Sequence, residues 1–478
     1  MPAAPPLALL CYQSHPALYP RPMFAPRELF LGPDVKAPVA DGAFSARPAP
    51  IGDYDLAREI GDLSPDLVLV KPDATGRNVP RNLGAVSGVK VLVLGDTHHL
   101  DHPIRWLLGY AASEPFDLIL CHHARQHLHF FAHALPTIPV YWAPLLSVNV
   151  FPPPDDRTVR YPLVFVGAKS DWHRYRTHIL DRFEAAGLPL RIGGAPQPDA
   201  ARVLARSRIA LNVSLNGDLN HRASEILAAG SLLLTDRLAP EAGLARLFAD
   251  GQQAVYFDGP EDAIEKARHF LDHPDQADAI RAAGQQAFHK QHAPARKMHQ
   301  LHDLALNGIV DPLWSMEGEP RHRHGAPESQ EDLLVRVAIY EAAQELHRRL
   351  PRPFLRLGPG TDPAFASDAA DLPRLLIERA CADEAEYRQT ERYLGLTRTQ
   401  ERVDLVPLPS LQTPPPADSL LVLRASDLAG FPPAALSPNL FLPDLYFVRG
   451  KGPAHARLDQ LGFRQTDHGF WQAGPGDD

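Results

Sequence analysis

Residues 220–236 read NHRASEILAAGSLLLTD. Asn220 suits a helix N-cap, HRASEILAA is a helix-forming run, and Gly230 can end it in the left-handed conformation that glycine adopts freely. SLLLTD then becomes continuously apolar, as a strand covered on both faces does. A helix leading through one glycine into a buried strand is the repeating unit of a parallel α/β sheet. Arg222 falls in the first helical turn and Glu225 three residues later, so the two side chains share a face. Free N–H groups at a helix N-terminus, with Asn220, His221 and Arg222 beside them, make a natural seat for a diphosphate. A carboxylate one turn deeper can accept hydrogen bonds from the vicinal hydroxyls of a ribose. The spacing alone fits equally well an exposed Arg–Glu pair worth roughly a few tenths of a kcal/mol.

Working outward, LVFVG, LRIGG, RIALNVS and QAVYF read as further strands. Helices are predicted near 173–186, 199–206, 221–229, 240–249, 261–272 and 276–290, giving an α/β domain over 151–312. Upstream of the proline-rich break VFPPPDDRTVRYP (150–162), the apolar runs at 7–12, 67–70, 89–96, 117–121 and 138–142 predict a first doubly wound domain over 1–150. WSMEGEPRHRHGAPESQ (314–330) lacks apolar periodicity, so 313–330 is expected to be a linker. Residues 331–478 read as a smaller α/β accessory domain. Its helix, strand and FLRLGPGTD loop resemble a class I methyltransferase, but no acidic residue is clearly placed to end the second strand. A structural Rossmann-like module is the reading, with a second, S-adenosylmethionine-dependent activity as the alternative.

Composition narrows the function classes. Lys and Arg total 48 against 57 Asp and Glu, a formal charge of −9, which argues against a nucleic-acid partner, since that needs a basic face. Cys11, Cys121 and Cys381 fit neither a disulfide framework nor a zinc pattern, so a reducing cytoplasm is expected. The start, MPAAPPLALL, lacks the basic residues of a secretory signal, and no apolar run reaches the roughly 18 residues of a transmembrane helix.

SRIALNVSLNGDLNHRASEILAAGSLLLTD, FADGQQAVYF and the helical tail ending HKQHAPARKMHQLHDL, together spanning Ser207 to Leu304, resemble the C-terminal half of CgeB-like glycosyltransferases of the spore-maturation type. FVGAKSDWHRYRTHIL resembles that family's Phe-Val-Gly strand and basic helix start. The resemblance implies a GT-B fold: two facing Rossmann-like domains, the second holding a nucleotide diphosphate sugar and the first an acceptor (polysaccharide, lipid, protein or small molecule). It implies no metal and no cofactor, the leaving diphosphate being stabilised by helix dipoles and basic side chains. A second copy of the chain is a candidate partner. By position, Glu225 matches the ribose carboxylate, Arg222 the arginine beside it, and Gly167 the glycine that brings backbone close to phosphate. Arg176, Lys169 and Arg174 are placed to meet the diphosphate or to form a solvated helix face. Asn212 and Asn216 lie by the loop into the helix, Asn216 as a turn cap.

The resemblance also puts a catalytic base after the first strand, where CYQSHP supplies His15. GDTHHLDHP supplies Asp96, His98, His99 and Asp101 at the end of another strand. A neutral imidazole there can take the acceptor proton while a nearby Asp fixes its tautomer. The family's glycine-rich first loop is missing from QSHPALYP, which keeps open a non-catalytic nucleotide-sugar-binding protein. In CHHARQHLHFFAH, His123 with His127 and His129 with His133 have the i, i+4 spacing of helical metal ligands. Neither pair has an HExxH glutamate or a Cys partner, so no metal is expected.

Overall fold

The computed structural model describes residues 5–13, 25–72, 74–98, 100, 102–146, 153–195, 199–411, 415–416, 419–446, 453–466 and 470–473. Two compact units divide the chain, one comprising 1–170 and 176–317, the other 171–175 and 318–478.

In the first unit the chain lays down β1 (Leu7–Tyr12), β2 (Arg27–Gly32), β3 (Val39–Asp41), β4 (Phe44–Pro48), β5 (Gly52–Asp55), α1 (Leu56–Ile60), β6 (Leu67–Lys71) and β7 (Asn78–Arg81). It continues with β8 (Val89–Leu94), α2 (Pro103–Ser113), β9 (Leu118–Cys121), α3 (Leu128–Ala134) and β10 (Val140–Trp142). Eight of these strands form one sheet in the order β10-β9-β8-β6-β1-β2-β4-β3, parallel except at β3–β4, while β5 and β7 pair separately. The five expected strands are present, and β2 to β4 extend the sheet beyond them.

A second, wholly parallel sheet follows, from β11 (Tyr161–Val166), α4 (Arg174–Ala185), β12 (Leu190–Gly193), α5 (Asp199–Ala205), β13 (Ser207–Asn212), α6 (His221–Ala229), β14 (Leu232–Asp236), α7 (Leu244–Leu247) and β15 (Val255–Phe257), in the order β12-β11-β13-β14-β15. Parallel strands put all their carboxyl ends on one edge, where the loops that bind ligands lie. The residues 220–236 fold as their sequence predicts. Asn220 accepts from the Ala223 N–H at the start of α6, and Gly230, at φ 82°, closes it by donating to the carbonyls of Ile226 and Leu227.

Three helices complete this unit: α8 (Pro260–Asp272), α9 (Pro274–His292) and α10 (Pro294–Asn307). Helix α9 packs on α6 and β14 of the second sheet, but α10 packs on β8 of the first. Leu301 and Leu304 of α10 join a core with Leu10, Leu69, Val91 and Leu120. Trp314 lies in that same core, 0% exposed, and its carbonyl accepts from the Trp142 N–H at 2.9 Å. The start of the stretch expected to be a linker is therefore packed, because an indole buried in a core holds its flanking chain in place. The boundary between units falls at Glu317–Gly318.

The second unit contains α11 (Pro320–His324), α12 (Gln330–Arg349), β16 (Phe354–Leu357), α13 (Pro363–Ala369), β17 (Leu376–Cys381), α14 (Glu384–Thr397), β18 (Asp404–Pro407), β19 (Leu420–Val422), β20 (Asn439–Phe441), α15 (Pro453–Gln460), β21 (Phe463–Gln465) and β22 (Phe470–Ala473). The order is β18-β17-β16-β19-β20-β22-β21, with β22 antiparallel to both neighbours. Buried ion pairs tie its helices together: Arg336 grips Asp368 through two hydrogen bonds of 2.9 and 3.0 Å, and Arg321 pairs with Asp371. The glycine loop after β16 is closed by the chain itself. Glu386 accepts from the Gly360 N–H at 2.6 Å and from the Ala382 N–H at 2.7 Å, and Arg379 donates to the same carboxylate. β17 ends in Cys381, and the nearest acid, Asp383, caps α14. Among the described residues, no helix is long and apolar enough to cross a membrane.

Candidate functional site

The carboxyl edges of the two sheets in the first unit meet. The loop from β13 to α6 docks on the segments that follow β8 and β9 of the first sheet. The Asn216 side-chain amide donates to the His98 carbonyl at 2.6 Å, and Gln126 donates to the Gly217 carbonyl at 3.2 Å. Leu219 N–H donates to the His123 carbonyl at 2.7 Å, while the His123 ring, through Nδ1, meets the Leu219 carbonyl at 2.9 Å. The loop's own shape is held by carboxylates: Asp236 accepts from Ser214, and Asp218 from the Leu215 N–H.

On the second-sheet side the centre is Phe165. Arg222 lies with its guanidinium carbon 4.7 Å from that ring's centroid and Arg176 with its own 5.7 Å away. Arg222 Nε donates to the Val166 carbonyl at 2.8 Å and Nη1 to Asn212 Oδ1 at 3.3 Å; Arg176 Nη2 donates to the Val213 carbonyl at 3.2 Å. Among the described residues neither guanidinium forms an ion pair, and Arg176 Nε is buried without a partner. Burial first, and then the Arg222 charge beside it, push the Arg176 guanidinium down to about 10; burial also lowers Arg222. Carboxylates lie near enough to favour both charges, Glu225 and Asp218 for Arg222 and Asp218 and Asp236 for Arg176, but with no ion pair formed the two guanidiniums sharing one ring can receive an anion. Gly167, at φ 155°, makes room for them, since a Cβ there would fall 2.8 Å from the Phe165 ring and 3.1 Å from Arg222 Nη2. Gly167→Ala should weaken nucleotide binding by roughly tenfold, measured by calorimetric titration; unchanged affinity would remove this glycine from the site.

The other predicted donor residues divide. Asn212 is buried and acts on Arg222, with its amide tied to Thr235 Oγ1 at 3.0 Å. Asn220 caps α6, and its amide nitrogen is buried without a partner. Glu225 lies half-buried one turn along α6, near enough to Arg222 to favour its charge. His221 opens α6 against the His123 ring, centroids 4.4 Å apart. Lys169 is drawn away from the arginine pair: it bonds Asp181 at 2.7 Å and Glu184 at 2.5 Å on α4. Arg174 is exposed and falls in the segment that clusters with the second unit.

On the first-sheet side, His15, His99 and Asp101 lie outside the described residues. His98 is buried, its Nε2 3.4 Å from Asp218 Oδ2 of the opposite loop, and Asp96 faces His123 electrostatically. Of the two histidine pairs with helical spacing, His129 and His133 share α3, ring centroids 6.0 Å apart, and His129 Nδ1 bonds the Gln126 carbonyl. His123 and His127 share no helix, because the chain after β9 makes a turn and a short 3-10 helix (125–127) in which His127 bonds Thr97. The sequence reading missed Phe165, Asp218 and Lys71. Phe165 stood in the quoted Phe-Val-Gly strand, but nothing in a strand pattern shows which ring two distant arginines will share.

Residues 158–303 match a family model described as glycosyl transferase-like. The matched segment contains Arg176, Arg222 and Phe165. No curated protein matches the chain. Similar solved structures include Anabaena HepE in complex with UDP-glucose, 11% identical with a TM-score of 0.44, covering 64% of this chain and 100% of that one. Sucrose-phosphate synthase from Thermosynechococcus elongatus is 11% identical over the same shares, with a TM-score of 0.45. TarM is 10% identical, covering 52% of this chain and 57% of that one, with a TM-score of 0.37.

Proposed function

We propose that the chain transfers a sugar from a nucleoside diphosphate sugar to an acceptor nucleophile, and that it does so without added Mg²⁺. The observation that carries this is the pair Arg176–Arg222, unpaired by any described carboxylate and set on Phe165 at the amino end of α6. Guanidiniums held in place before the reaction stabilise the charge that develops on a departing diphosphate. Glu225, one turn further along α6, takes the ribose hydroxyls, and Asn212 holds Arg222 in position. His98 is the prospective base of an inverting reaction, its tautomer fixed by Asp218. The spore-maturation type is the finer family reading, and it rests on the ordered motifs from Ser207 to Leu304.

A thermal-shift screen against UDP, GDP, dTDP, ADP and CMP sugars tests the donor. A donor at 100 times its dissociation constant adds about 2.7 kcal/mol, and a flat response to every nucleotide would sink the reading. With the donor known, His98→Ala should lower kcat far more than it raises KM. An unaltered kcat would take the proton-transfer role from His98.

A further inference from the structure

We propose that His122, His123 and His221 bind one divalent transition-metal ion of the zinc class, which clasps the end of β9 to the start of α6. His122 and His123 follow β9 directly, and His221 is the first residue of α6. One ring nitrogen from each can be chosen so that all three lie within 4.8 Å of one another. The ring centroids are 3.8, 4.4 and 5.5 Å apart. Zinc–nitrogen bonds of about 2.0–2.1 Å in tetrahedral geometry need nitrogens about 3.4 Å apart.

The second support is what these nitrogens lack. Both ring nitrogens of His122 and Nδ1 of His221 are buried with no hydrogen-bond partner. Leaving a buried polar atom unsatisfied costs about 1–3 kcal/mol, and a shared ion would satisfy one nitrogen of His122 together with Nδ1 of His221. His123 supplies the outer arrangement that metal-bound imidazoles use: with Nδ1–H donated to the Leu219 carbonyl, Nε2 keeps its lone pair free. The surrounding charge is mixed. Lys71 faces all three rings, and at His123 the carboxylates of Asp96 and Asp218 offset it. An all-imidazole set suits zinc, cobalt, nickel and copper and is a poor host for magnesium or calcium. Three protein ligands leave a coordination position open. His221 directly precedes Arg222 on α6, but the inference rests on the histidine geometry and does not depend on the donor reading.

The test uses the full-length protein, stripped with a chelator and titrated with Co²⁺ and with Zn²⁺ in competition with a chromophoric chelator. One equivalent should bind, with the visible absorption of four- or five-coordinate cobalt and an X-ray absorption spectrum showing nitrogen neighbours at about 2.0 Å. Millimolar Mg²⁺ should not displace it. His122→Gln and His221→Gln should each weaken binding at least a hundredfold, while His269→Ala, in an exposed histidine pair, leaves it unchanged. Wild-type protein that takes up no more metal than a folded His122→Gln/His221→Gln double variant would overturn the proposal. So would a cobalt spectrum of six-coordinate oxygen ligation, which needs no variant to fold.

Discussion

Arg222→Ala lowers kcat/KM for the sugar donor by roughly 10²- to 10³-fold, the loss that follows removal of one preorganised charge donor from a transition state. The effect is large because Arg222 holds several positions at once: it lies over Phe165, donates to the Val166 carbonyl and Asn212, and stands beside Arg176. Arg222→Lys keeps the charge but not the planar fork, so it recovers only part of the activity. Nucleotide affinity, measured by calorimetry, should fall in parallel, and Arg176→Ala should show the same pattern more weakly. Removing Arg222 also strands the Val166 carbonyl, a cost of about 1–3 kcal/mol, so melting temperature is measured beside affinity. A folded Arg222→Ala protein that binds the nucleotide as wild type does would end the donor assignment.

Lys297→Met stabilises the protein at neutral pH by a few kcal/mol and removes a pH dependence. Lys297 is fully buried on α10, its Nζ has no hydrogen-bond partner, and the ring nearest it is Trp314, 5.8 Å away. Burial pushes this amine from 10.5 down to about 7, against a smaller opposing pull from Asp311. With the folded value below the unfolded one, the unfolded chain binds more protons between those two pH values. Stability therefore rises with pH from about 7 towards 10, by up to about 1.4 kcal/mol per unit from this group. Methionine fills a similar volume with no charge to desolvate. Urea unfolding at pH 7 and pH 9 reads both effects; a wild-type slope that survives in Lys297→Met would place its origin elsewhere.

Much of the second sheet was legible because its code is local. Cap, helix, glycine and apolar strand follow one another within 220–236, and the predicted helices from 173 to 290 fall within a few residues of those observed. β3 and β4 were missed because they are short and largely exposed, whereas β2, six residues long and buried beyond Arg27, was missed because its run opens on two charged residues. Arg176 was the stronger diphosphate candidate in sequence and Lys169 a weaker one, and what removes Lys169 is its pairing with Asp181 and Glu184 on α4. The histidine cluster shows the limit most plainly. His122 and His221 are neighbours through tertiary approach across almost a hundred residues of chain, whereas the i, i+4 spacings between 122 and 133 mark only local pairs, one of which, His123 with His127, a turn prevents.

The return of α10 to the first core has a consequence for recombining such enzymes. Because Leu301, Leu304 and Trp314 complete the hydrophobic cluster begun by β1, β6 and β8, which also holds Ala143 and Leu146, the second sheet is an insertion in the first domain, entered after Leu146 and left near Ala293. Cutting the chain once between the two Rossmann halves leaves the first without its last helix. A chimera that exchanges donor specificity should transplant residues 161–292 as a cassette with two junctions, and keep α10 with the recipient.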